Sequence, residues 1–286
     1  MITADIHTHS SFSTDSDSPM EEMIETAIKH GLKTYCVTEH YDLGHHIYDH
    51  KGEEGYSYGD MSREEVSALF VCDCESYVKK HAQLKEKYRD DIELLLGIEV
   101  GMQEDLCDKF LALVKKYPFD FVIGSAHEVG GMDPYYAKFL MGRTQKEAFR
   151  FYFEGTLRLA KACSPVFDTL AHPDYGLRYH HSEDFVFDYA DYADILDELL
   201  KFLIENKKAL ECNTGSFSYF KDDNQPIAQI LSRYAQLGGS LVTIGSDAHT
   251  PDAVARHFEQ AEKLLSSCGI KGYCIFRNRQ LFTQNF

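Results

Sequence analysis

Basic residues are scarce in this chain. Over 286 residues, 29 Lys and Arg stand against 46 Asp and Glu, a formal net charge of −17. Phosphate backbones are gripped by Lys and Arg, so this balance argues against a nucleic-acid-coating surface and equally against an anionic membrane surface. Bound cations would offset part of the negative charge locally. No apolar run reaches membrane-spanning length. No basic-then-apolar leader opens the chain, and residue 7 already belongs to a candidate site, so no cleaved signal peptide is expected. None of the eight cysteines lies in a CxxC pair, and most fall within apolar or helical runs. They read as reduced, mostly buried thiols of a cytoplasmic protein. Oligomeric state has no signature in the sequence.

What is present begins at once, with Asp5-Ile6-His7-Thr8-His9 at the end of an alternating run. Residues two apart on a strand share a side, so His7 and His9 present two imidazoles to one point, as a metal-ligand pair requires. The pattern then recurs. Strand-like runs at 2–6, 34–38, 92–98, 119–125, 166–171, 209–212 and 240–244 alternate with helical stretches, and the tail 272–283 reads as one further strand. Ser18-Pro19-Met20-Glu21 has the form of a capping box with Pro at N1. Ser62 reads as the cap of a helix reaching Tyr88, and Thr250-Pro251 as the cap of one reaching Ser267. The aperiodic stretch 41–61 reads as a long loop over a strand end. Seven strand–helix units without a linker imply a single α/β domain over 1–286, a closed or nearly closed parallel barrel whose site lies at the C-terminal strand ends.

Those ends carry the chemistry: His7, His9, His40, Glu99, His127, His172, Asp247 and His249, with Asp15 nearby in the first loop. A single histidine at a strand end is ordinarily a hydrogen-bonded loop residue. Six at equivalent places in successive units are not explained that way. Nine N/O donors exceed the roughly four that one Zn²⁺ takes, so two or three metals are expected. Imidazole and carboxylate without thiolate suit Zn, Fe or Mn. A metal pair of this kind clamps the oxygens of a transferring phosphoryl group.

The set resembles the PHP family, named for polymerase and histidinol phosphatase domains. The carrying motifs are His7-Thr8-His9, Thr38-Glu39-His40 (the family usually has T-D-H), Gly97-Ile98-Glu99, Gly124-Ser125-Ala126-His127, Ala171-His172-Pro173-Asp174 and Ser246-Asp247-Ala248-His249. The resemblance implies a distorted (β/α)7 TIM-like barrel and up to three metals. His7, His9, Glu99 and Asp247 would hold the first, Asp15, His40 and His249 the second, and Glu99 (bridging), His127 and His172 the third.

Within the family the likeness is to the histidinol-phosphate phosphatase branch, through Asp15-Ser16-Asp17-Ser18-Pro19, His172-Pro173-Asp174, Arg178-Tyr179 and Leu210-Glu211-Cys212-Asn213-Thr214. It implies a phosphomonoesterase of histidine biosynthesis acting on L-histidinol phosphate, with a metal-bridging hydroxide as nucleophile and Arg178 on the phosphate. Asp17, Asp174, His45, His46 and His181 are candidates for protonating the leaving alcohol, and the three histidines also for lining the substrate pocket. The chain departs from the branch in one place. A second arginine commonly follows the Asn-Thr pair, whereas here the segment runs Gly215-Ser216-Phe217-Ser218-Tyr219-Phe220-Lys221, and Lys221 is the cation left to stand in for it. The rivals are a phosphoesterase for another small ester or nucleotide, a C–N hydrolase of the amidohydrolase type, and a non-catalytic metal protein. No lysine sits at a strand end to bridge metals as the C–N hydrolase would need. No ligand station is missing, as the non-catalytic reading would need.

Overall fold

Strands buried on both faces must be apolar along their length, and Leu94-Leu95-Leu96 and Phe121-Val122-Ile123 are. In the computed structural model, which describes residues 1–45, 68–179, 185–221 and 224–286, these segments belong to one all-parallel sheet. Its strands are β1 (Ala4–Asp5), β2 (Thr34–Val37), β3 (His40–Tyr41), β4 (Glu93–Gly101), β5 (Phe121–Ser125), β6 (Thr169–Leu170), β7 (Ala209–Asn213) and β8 (Val242–Gly245). The order is β1-β2-β4-β5-β6-β7-β8, with β3 extending the second unit along β4. Hydrogen bonds from Ile6 N to Ile244 O (3.2 Å), Asp247 N to His7 O (2.8 Å) and His9 N to Ala248 O (2.8 Å) join the last strand to the first. The result is the expected nearly closed seven-unit barrel. Between and after the strands run α1 (Met20–Lys29), α2 (Cys74–Lys87), α3 (Cys107–Lys116), α4 (Gln145–Ala162), α5 (Ala193–Glu205), α6 (Pro226–Gln236) and α7 (Phe258–Ser267). None of the described helices is long and apolar enough to cross a membrane.

Several local expectations are corrected. Ser18 does not cap α1, whose N-cap is Pro19. Instead Ser18 Oγ and Ser16 Oγ donate to His249 O at 3.0 and 2.7 Å, tying the first loop to the last strand end. The cap expected at Ser62 lies outside the described residues. The helix that reaches Lys87 starts at Cys74, capped by Asp73, because Val71 bridges Tyr41 antiparallel and Cys72 N donates to His40 O. Thr250-Pro251 opens a single tight turn, and α7 begins only at Phe258. Cys107 and Cys163, 56 residues apart, form a disulfide between the start of α3 and the end of α4, so two of the eight cysteines are not reduced. The tail forms two strands, β9 (Gly272–Arg277) and β10 (Gln280–Asn285), in an antiparallel hairpin.

That hairpin clasps the N-terminal strand ends. Arg277 pairs with Glu93 at 2.5 and 2.7 Å, Asn278 N donates to Asp120 Oδ1 at 3.0 Å, and Arg279 pairs with Asp168. Asp120 and Asp168 in turn accept from Leu96 N and Val122 N at 3.0 and 2.9 Å.

Helix α2 seats on the barrel through Tyr77, whose hydroxyl donates to Val37 O and Gly97 O at 2.7 and 2.9 Å. One turn on, His81 is buried and its Nε2 has no hydrogen-bond partner. Burial, seconded by Lys85, pushes its pKa from 6.5 down to about 4. The unfolded chain therefore takes up this proton first, and stability falls as pH drops from about 6.5 towards 4. By about 1.4 kcal/mol per pH unit, the loss is of order 3 kcal/mol. Denaturant unfolding of metal-free wild type and His81→Leu across that range should show the wild type losing stability relative to the variant. A pH-independent difference would mean that the folded ring already carries the proton.

Candidate metal centre

Strand parity aims the first two ligands. His7 and His9 are fully buried, while Thr8 between them turns its hydroxyl to Cys36 O at 2.8 Å. Glycine makes room for them: a Cβ at Gly245 would lie 2.1 Å from His7 Cβ. Register then sets His40 opposite Glu99, its partner in the β3–β4 pairing.

Glu99 is the hub. Its Oε2 lies 3.2 Å from His7 Nε2, 3.4 Å from His9 Nε2 and 3.0 Å from His40 Nδ1. Its Oε1 lies 3.2 Å from His127 Nε2 and 3.0 Å from His172 Nε2. Asp247 Oδ1 stands 3.6 and 3.4 Å from His7 Nε2 and His9 Nε2. Asp15, half exposed, approaches His40 Nε2 and His249 Nε2 at 3.4 and 3.1 Å. The structure thus gathers all nine sequence-read donors. Four overlapping trios have ligand atoms within 4.8 Å of one another: His7–His9–Asp247, His7–Glu99–His172, His40–Glu99–His127 and His9–His40–His249. The last differs from the trio implied by the resemblance, with His9 in the place of Asp15.

These side chains fit divalent cations. His7 Nε2, His9 Nε2, His40 Nδ1, Glu99 Oε2 and His249 Nε2 are buried and lack hydrogen-bond partners, a grouping that native interiors avoid unless something else satisfies the atoms. The electrostatics agree. Burial opposes a charge on Glu99, yet His7, His40 and His127 hold its carboxyl well below the ordinary range. Burial likewise opposes a charge on His7, but Glu211, Glu99 and Asp247 outweigh it and raise its pKa. Burial, with His40 and His249, drives His9 down to about 3, which keeps that ring neutral and able to donate to a metal. The carboxylates demand positive charge, which protons or metals can supply in competition.

A second layer aims the rings. Glu211 Oε1 holds His7 Nδ1 at 2.6 Å, and Glu211 Oε2 accepts from His172 N at 2.9 Å. Asp42 Oδ2 holds His127 Nδ1 at 2.7 Å, and Ser13 Oγ lies 3.3 Å from His9 Nδ1. Glu39, in the place of the usual family Asp, accepts from Ser13 Oγ at 2.5 Å and Ser10 N at 3.1 Å. Burial pushes its pKa up to about 7. Sequence reading missed Glu211, Asp42 and Ser13 as functional residues. Strand parity offered a signal for Asp42, two residues past His40.

The cluster floors a cavity of about 210 Å³, walled by His45, Asp133, Tyr175, Arg178, Tyr179, Tyr219 and Arg256 among others. His45 lies 3.4 Å from Glu128 and 3.6 Å from Asp133. Arg178 is buried, with Nη1 3.4 Å from Asp247 Oδ2 and Nη2 donating to Ser216 Oγ at 3.0 Å. Asp174 is buried behind it and accepts from Ser216 Oγ at 3.1 Å. Asp17 and Lys221 are exposed and do not line the cavity. His46 and His181 lie outside the described residues.

Residues 5–215 match the PHP domain family. The chain is 35% identical to a probable histidinol-phosphatase of Clostridium acetobutylicum, over 93% of this chain and 94% of that protein. It is 28% identical to the histidinol-phosphatase of Lactococcus lactis, over 98% and 97%. The crystal structure of the L. lactis histidinol phosphate phosphatase, complexed with zinc, L-histidinol and phosphate, superposes with a TM-score of 0.83 over 98% of each chain.

If Glu211 and Asp42 aim their imidazoles, Glu211→Gln and Asp42→Asn should each weaken metal binding roughly 10–100-fold. Competition against a chromophoric chelator measures this directly. Unchanged affinity in both would show that strand geometry alone orients the rings.

Proposed function

The chain belongs to the PHP-domain family, and from that membership and the geometry above we propose that it is a metal-dependent phosphomonoesterase hydrolysing L-histidinol phosphate to L-histidinol and phosphate. The observation that carries the chemistry is Glu99, a buried carboxylate within 3.4 Å of five imidazoles at the barrel mouth. In this reading His7, His9, Glu99 and Asp247 would hold one ion, Asp15, His40 and His249 a second, and Glu99, His127 and His172 a third, with zinc, iron or manganese suiting the donors. Bound there, the ions supply a water nucleophile of lowered pKa and neutralise charge growing on the phosphoryl oxygens.

The protein's own groups position the ester. Arg178 stays charged although buried, because Asp247 and Asp174 outweigh its desolvation. The rings of Tyr175 and Tyr219 lie 5.6 and 5.2 Å from its guanidinium carbon, and the planar fork lines the cavity, as a phosphate-binding arginine requires. The amino-alcohol would lie beside His45 and Asp133, which line the cavity, with the Asp133 carboxyl facing its ammonium. Among the candidates for protonating the alcohol, His45 is the described one that reaches the cavity, and we assign it that role. The substrate is a small phosphorylated metabolite, and we place the protein in the cytoplasm. Six of the eight cysteines are free thiols, as a reducing compartment favours, with the Cys107–Cys163 bridge as the exception.

Phosphate release from L-histidinol phosphate, with p-nitrophenyl phosphate in parallel, tests this on metal-reconstituted protein. We expect efficient turnover of histidinol phosphate, and a loss of roughly a hundredfold or more in kcat/KM for Arg178→Ala. Turnover of the aryl phosphate alone would keep the phosphatase and remove the substrate.

A further inference from the structure

The segment that follows Asn213-Thr214 lacks the branch's arginine, and it opens on Gly215. No left-handed backbone angle requires a glycine at this position, but space does. A Cβ on Gly215 would lie 2.5 Å from Nη2 of Arg256, a residue 41 positions further on. We propose that Arg256 is the second phosphate-orienting arginine of this site, delivered from the loop after β8 into room left by Gly215. The inference rests on the phosphatase reading above.

Three observations converge on it. Arg256 lines the metal cavity with Arg178, Asp15 and His249. Its guanidinium is held at the ligand-bearing strand end, with Nε donating to Ser246 O at 3.1 Å and Nη2 3.5 Å from Asp247 O. These bonds leave other donors of the five-donor fork available. Arg178 meets the same turn through Ser216, so the two arginines approach Thr214–Ser218 from separate loops.

The backbone around Arg256 adds a further sign. Ala255 and His257 both adopt left-handed conformations, with φ of 57° and 58°. Such angles are unfavourable for non-glycine residues, and they persist because the neighbours are pinned. Ala255 N donates to Asp5 Oδ2 at 3.0 Å, and His257 Nε2 lies 3.1 Å from Ser218 Oγ. Strain held in place on both sides of one cavity-lining cation is the kind of feature that marks a positioned functional group. Lys221, the cation that the sequence offered for this task, is exposed and outside the cavity lining.

Inorganic phosphate is the probe. Titration calorimetry on metal-loaded protein should show Arg256→Ala binding phosphate at least about tenfold more weakly. Arg256→Lys should recover part of the loss, and Lys221→Ala should match the wild type. KM for the phosphomonoester should rise more than kcat falls, and metal content should stay at the wild-type value. Unchanged phosphate affinity in Arg256→Ala would overturn the proposal. So would a loss of bound metal in the Ala and Lys variants alike, which would make the residue a strut for the Ser246–Asp247 carbonyls. A wild type that binds phosphate through Arg256 but does not turn over histidinol phosphate would remove the substrate and keep the arginine.

Discussion

A carboxylate taken out of water must be compensated, and around Glu99 the compensation comes from five histidines on four segments of the chain. That constraint organises the mouth of the barrel. It needs β4 in the sheet between the units that supply the imidazoles, His40 in register with Glu99, and Ser125 on the adjacent strand donating to Oε1 at 2.5 Å. It also needs the rings held from behind, because a buried charge is repaid only when its partners are well placed. Glu211 and Asp42 meet that need, and they add negative charge that a cation site can use.

The two ends of the barrel divide the work. At the N-terminal strand ends, Glu93, Asp120 and Asp168 are paired with Arg277, Asn278 and Arg279 of the tail hairpin, and the polar groups are mutually satisfied. At the C-terminal ends, buried nitrogens and oxygens are left unpaired and several loops are held by contacts to one another. Stability is concentrated at one end and frustration at the other, as barrel enzymes require.

Much of this was legible in the sequence. Strand-like runs alternate with helical stretches and keep ending in His, Asp or Glu, so His7, His9, His40, Glu99, His127, His172, Asp247 and His249 fall on one rim of a barrel. Groups that act through another side chain were harder to see. Glu211 sits within a buried strand and had no local signal, while parity with His40 hinted at Asp42, whose role is fixed only when His127 is set beside it. Caps failed where tertiary bonds claimed the residue, as when Ser18 turned to His249 rather than to its own helix. The Cys107–Cys163 bridge joins two helices that no local pattern pairs.

The metal cluster lies on the seam where the first strand meets the last. His7 and His9 are synthesised 240 residues before Asp247 and His249, their partners. The hydrogen bonds that bring them together, Asp247 N to His7 O and His9 N to Ala248 O, exist only once β8 has been made. An emerging chain therefore carries these two histidines through 240 further residues of synthesis without the carboxylate that completes their site. Full metal loading becomes a late event, coupled to ring closure, and a prematurely terminated chain cannot assemble the centre.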